Sequence, residues 1–143
     1  MTNTLLWAED IRNNRIVRAP FGHQLSAMIH EADIAAVAVK ALCEKGHEDK
    51  TYLLTSNEEL TRRDRIQQLA AAIGTDIRFE ELTTEEAREQ WLNEGYSQAD
   101  IDWLLELGEW ECISPATDSI EQITGHPART FYEWAKEHAD YFR

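Results

Sequence analysis

Glycine is scarce in this chain and never clustered: there are six in 143 residues, each far from the next. A dinucleotide-binding turn needs closely spaced glycines, so that backbone can approach a diphosphate at a helix N-terminus. Neither G-x-G-x-x-G nor G-x-x-x-x-G-K-[ST] occurs. Cysteine is scarcer still. Cys43 and Cys112 form no C-x-x-C pair, which argues against a disulfide scaffold, and Cys43 is expected as a buried, reduced thiol in a helix. No apolar run approaches the ~20 residues of a membrane helix. The opening residues carry Glu9 and Asp10 early and do not read as a signal peptide, so a cytoplasmic protein is the expectation. Bases are outnumbered, 14 against 27 acids, for a net charge of −13. That charge disfavours nucleic acid or an anionic membrane as partner.

What is present argues for a packed core. Hydrophobic residues make up 43% of the chain and include five tryptophans, and the length fits a single domain over residues 1–143. The central stretch runs from Leu25 to Leu42. Its first six residues read as a strand ending at His30 and Glu31. A helix follows, with Ile34, Val37, Ala38, Ala41 and Leu42 keeping one face apolar. Ala35, Ala36 and Val39 make the opposite face almost as apolar. Such a helix is expected to be covered on both sides.

The periodicity predicts a helix-rich α/β fold with three or four short strands (15–21, 25–30, 51–55 and 76–82) and about six helices. Strands 15–21 and 25–30 are close enough for a hairpin. Thr51-Tyr-Leu-Leu-Thr55 is short and uninterrupted, as a strand buried on both faces would be. Asp76 to Leu82 alternates, as a half-buried edge strand does. Thr61 with Asp64, Thr83 with Glu86, Ser97 with Asp100 and Thr130 with Glu133 each signal a helix start.

Few residues suggest chemistry by themselves. Tyr132 and Lys136 match the Tyr-x-x-x-Lys spacing of short-chain dehydrogenases, in which a lysine one turn away eases ionisation of the phenol. Here they lie at the chain's end with no cofactor loop before them. The five histidines stand in different elements without an H-E-x-x-H, and His30, Glu31 and Asp33 read as helix capping groups. No metal site is expected. Trp91, Trp103 and Trp110 either line an apolar pocket beside Glu111 or are ordinary core and surface aromatics.

Several segments form an ordered set. They are Leu6-Trp-Ala-Glu-Asp-Ile-Arg12, Ile16-Val-Arg-Ala-Pro-Phe-Gly22, Glu31-Ala-Asp-Ile-Ala-Ala-Val-Ala38, Tyr52-Leu-Leu-Thr55, Glu59-Leu-Thr61 and Thr124-Gly-His-Pro127. Together they resemble the C-terminal half of NmrA-like proteins, atypical short-chain dehydrogenase/reductase relatives. The resemblance implies a substrate-side region of partial Rossmann-type architecture without its dinucleotide-binding half. Residues 51–55 would then be the last parallel strand. Trp7, Asp10, His23, Met28 and His30 would face the substrate cleft, and Trp103 and Trp110 complete the candidate pocket. Atypical members commonly lack the Tyr-x-x-x-Lys pair, so no catalytic residue is assigned beyond the weak candidates Tyr132 and Lys136.

Two functions follow from the resemblance. One is a stand-alone, non-catalytic relative that binds a small molecule or a protein partner. The other is one part of a split NAD(P)H-dependent oxidoreductase. No cofactor is expected for the isolated chain, and NAD(P)H only when a partner completes it. That partner would be a separately encoded nucleotide-binding chain or a second copy in a homo-oligomer.

Overall fold

Ile16, Val17 and Ala19 must leave water, and β1 (Ile16–Ala19) buries all three in the computed structural model, which describes residues 1–143. Its partner is β4 (Arg78–Glu81), parallel and in register from Ile16 opposite Arg78 to Ala19 opposite Glu81. Ile77 and Phe79 point to the core while Arg78 and Glu80 face solvent, as the alternation predicts. A second sheet has β2 (Leu25–Ser26) at its centre. β2 is antiparallel to β3 (Leu60–Thr61) and parallel to β5 (Cys112–Ser114). β3 and β5 are too short to leave a periodic signal in the sequence.

The hairpin expected over residues 15–30 therefore does not form. Phe21 takes a left-handed backbone (φ 55°) and turns the chain out of the first sheet. Gln24 is buried and donates to the carbonyls of Leu107 and Trp110 at 2.5 and 2.9 Å, which draws β2 toward β5. β4 carries Phe79, with Ile77 just before it, against the core, a cover that the two-residue β2 cannot supply.

The first helical stretch begins as a 3₁₀ turn (Thr2–Trp7) and continues as α1 (Ala8–Asn14), which ends at a left-handed Arg15. α2 (Glu31–Cys43), α3 (Arg62–Ile73), α4 (Thr84–Asn93), α5 (Gln98–Gly108), α6 (Ser119–Thr124) and α7 (Phe131–Glu137) follow. Complete capping boxes open α3, α4 and α7, and Ser97 caps α5. Each satisfies N–H groups that a helix start otherwise leaves orphaned.

The core lies between α1, α3 and α7. Ile66, Leu69 and Ile73 meet Phe131, Trp134 and Phe142 there, all 6% exposed or less. A smaller cluster joins Val37, Ile120 and Ala128, with Leu54 against it.

Three further expectations are corrected. Residues 51–55 form no strand: they take part in no backbone–backbone hydrogen bond, and Leu53 is 60% exposed. No neighbouring strand is present to pair with them. α2 is covered on one side only, with Ile34, Val39 and Leu42 left in solvent. Cys43, on that open side, is exposed instead of buried.

Candidate functional site

The β2–α2 junction gathers the largest set of polar side chains with incomplete partners. His30 is 2% exposed and stands at the N-cap of α2, where its Nδ1 accepts the Ala32 N–H at 3.1 Å. An imidazole that accepts at Nδ1 carries its proton on Nε2. That nitrogen lies 3.2 Å from Glu137 Oε2, without the alignment of a hydrogen bond. Glu31 accepts from the Trp134 indole at 3.2 Å and lies 3.1 Å from His138 Nε2. Burial alone would push the Glu31 carboxyl up. Its own backbone N–H, His30, His138 and the indole outweigh that and hold it below its ordinary value.

Arg65 stands beside this group. It is 8% exposed, its guanidinium carbon is 5.7 Å from the centre of the Trp7 ring, and one of its nitrogens is 2.8 Å from Met28 Sδ. Its Nε has no partner, and no carboxylate pairs with it. Desolvation, with Arg62 nearby, lowers its pKa to about 10. A buried guanidinium whose Nε has no partner leaves a strong donor unsatisfied. Sequence reasoning missed Arg65, and the one local signal was its place in the same i, i+4, i+8 row as Leu69 and Ile73, which sets its stem beside the core without fixing where its head group goes.

The expected pocket residues are thus divided. Trp7 and Met28 meet across Arg65, and His30 follows on the same segment. Asp10 is exposed on α1. His23 is exposed in the turn after β1. Trp103 and Trp110 are 59% and 53% exposed on and just after α5. Tyr132 and Lys136 form a cation–π pair, with Nζ 5.7 Å from the ring centre and no hydrogen bond to the phenol. Asp33 is drawn away from His30 and Glu31, because it accepts from the Arg129 backbone at 2.8 Å and pairs with its guanidinium. No three metal-ligating side chains converge.

No protein-family model matches the chain. Two curated reductases do. It is 36% identical over 145 residues to the (4-alkanoyl-5-oxo-2,5-dihydrofuran-3-yl)methyl phosphate reductase of Streptomyces griseus, covering 99% of this chain and 51% of that protein. Identity to the NAD(P)H azoreductase of Xenophilus azovorans is 34% over 145 residues, with the same two coverages of 99% and 51%. The NADPH-dependent quinone oxidoreductase of Escherichia coli, crystallised with NADPH, superposes with a TM-score of 0.78 at 21% identity, covering 95% of this chain and 49% of that one. The triphenylmethane reductase of a Citrobacter species gives 0.76 at 20% identity, covering 95% and 48%. The chain has the fold of half such a reductase. It spans about half the length of the curated relatives it matches, and the Rossmann-type α/β architecture expected from the sequence holds for that half.

Proposed function

We propose that this chain is the substrate-side part of an NAD(P)H-dependent reductase and acts together with a nucleotide-binding part. The observation that carries this reading is the alignment of 99% of the chain with about half of two reductases, at 36% and 34% identity. The residues present support the division of labour. Gly22 and Gly108 are spent on close contacts with Phe79 and Phe21, while Gly74 and Gly125 close α3 and α6. No two of the six glycines stand closer than thirteen residues in the sequence, so the chain has no glycine-rich diphosphate turn, which supports placing NAD(P)H binding on the other part. The chain contributes substrate recognition at the β2–α2 junction, through Trp7, Met28 and His30 with Arg65 behind them. Arg65 favours a substrate bearing an anionic or strongly polar group, in keeping with the phosphate ester named for the Streptomyces relative.

The test is an NADPH fluorescence titration of the chain alone and of a chimera. In the chimera this chain replaces the half of the Xenophilus azoreductase that it matches. The chain alone is expected to leave NADPH emission unchanged, and the chimera to bind and oxidise it. Saturable NADPH binding by the lone chain would overturn the reading.

A further inference from the structure

Two histidines meet at the start of α2, and the hydrogen bonds around them require opposite protonation states. His138 directly follows α7, and its Nδ1 lies 2.9 Å from the Trp134 carbonyl. A carbonyl oxygen only accepts, so Nδ1 carries a proton. The other ring nitrogen, Nε2, lies 3.1 Å from Glu31 Oε1. In a neutral ring Nε2 would turn a lone pair toward the carboxylate, leaving two acceptors with no hydrogen between them. One proton must therefore sit on this contact. An imidazole is ordinarily the stronger base by about two pH units, and Glu31 is held below its ordinary value. The proton belongs to the ring, and His138 is an imidazolium. His30 is the reverse case. Its Nδ1 is taken by the Ala32 N–H, and a second ring proton would displace that bond.

The surroundings hold this arrangement in place. Trp134 stacks on the His138 ring with 4.4 Å between ring centres, so the indole N–H and the imidazolium converge on the same oxygen of Glu31. From the α2 side, the His30 ring stands edge-on to His138 at 6.5 Å, with its Nδ1 3.7 Å from Glu31 Oε2. From α7, Glu137 lies 3.2 Å from His30 Nε2, Glu133 is held in the Thr130 cap and Lys136 is turned to Tyr132. The turn after α7 (Ala139–Tyr141) lays the Tyr141 ring 6.0 Å from His138, while Asp140 pairs with Arg143. The Met1 amine donates to the Ile29 carbonyl at 2.6 Å and feels the charges of Glu31 and of Arg65 on α3. Among these groups only His138 puts a charge-dependent donor on Glu31.

We propose that His138 and Glu31 form a proton-dependent clasp that ties the end of α7 to the first turn of α2. With the His138 ring doubly protonated the clasp is shut, and the start of α2 is held against the helix that carries Phe131 and Trp134 into the core. Loss of the Nε2 proton replaces a charge-assisted hydrogen bond with two facing acceptors, and the first turn of α2 loosens. The contribution is present while the ring is charged and is lost as pH rises through its titration. The indole N–H stays on Glu31, so α2 remains docked while its first turn opens. The inference concerns this chain by itself and stands whether or not it acts as part of a reductase.

The test uses the full chain without a partner. NMR of the ring nitrogens at neutral pH reads both protonation states directly. His138 is expected to show two protonated nitrogens and His30 one, on Nε2. Glu31→Gln is expected to return the His138 ring to a single proton at the same pH. Hydrogen exchange then reads the clasp itself. The amides of Asp33 and Ile34, both bonded to the His30 carbonyl, are expected to lose protection about tenfold when the pH is raised until the His138 ring is neutral, after correction for the intrinsic exchange rate. His138→Gln, whose amide donates at every pH, is expected to abolish that pH dependence. A singly protonated His138 ring in the unsubstituted chain at neutral pH would overturn the inference, and that measurement needs no variant to fold. Protection that responds to pH equally in His138→Gln would assign the response to His30 or the Met1 amine and overturn it as well.

Discussion

Gly108 shows how a single residue locks two parts of the chain together. A Cβ at this position would stand 2.1 Å from the Phe21 ring, so the end of α5 and the turn after β1 touch only because glycine is there. Gly108→Ala is expected to lower the unfolding free energy by about 1–3 kcal/mol, the usual range for overpacking. Trimming the ring with Phe21→Leu in the same chain should restore part of the loss in a urea melt. Glu31 makes a second, pH-dependent prediction. Its carboxyl is held below the ordinary value of 4.5, so its contribution to stability is full above that value and lost as pH falls through the folded-state pKa. Glu31→Gln should therefore destabilise the protein at neutral pH, with the gap to the unsubstituted chain closing below pH 4.5 when melting temperature is followed against pH. Arg65 was not recognised from the sequence because arginine in an amphipathic helix usually reaches solvent; its burial depends on Trp7 and Met28, which arrive from other segments.

Helix starts were the most legible elements. The capping boxes at Thr61, Thr83 and Thr130 form as read, because each spans only three residues and needs nothing distant. Thr61→Ala should cost about 1 kcal/mol, since it removes the cap of the helix that carries Leu69 into the core. Strand pairing was far less legible. Ile16 to Ala19 reads as a strand, but nothing in those residues says that the partner is Arg78 to Glu81 and not the nearby Leu25. α2 presents the reverse case. Its apolar surface on both sides was plain in the sequence, and the structure leaves one side open.

Taken whole, the chain has one closed core and one open apolar surface on α2. The α1–α3–α7 core closes on itself, and Trp134, fully buried there, is expected to cost about 3–5 kcal/mol when replaced by alanine, measured by chemical denaturation. The β2–α2 junction, the open side of α2 and the unpaired 51–55 segment do not close. In a chimera with an azoreductase nucleotide-binding part, Arg65→Met should raise KM for an anionic substrate about tenfold with little change in kcat, a steady-state signature of lost substrate binding. Composition and short-range patterning were enough to establish the α/β class, the helix starts, the net negative charge and the absence of a glycine-rich diphosphate turn, because each depends on composition or neighbouring residues alone. The partition of strands between two sheets, the burial of Arg65 and the bare face of α2 depend on residues tens of positions apart. Only the folded chain settles which of those distant groups meet and which are left without a partner.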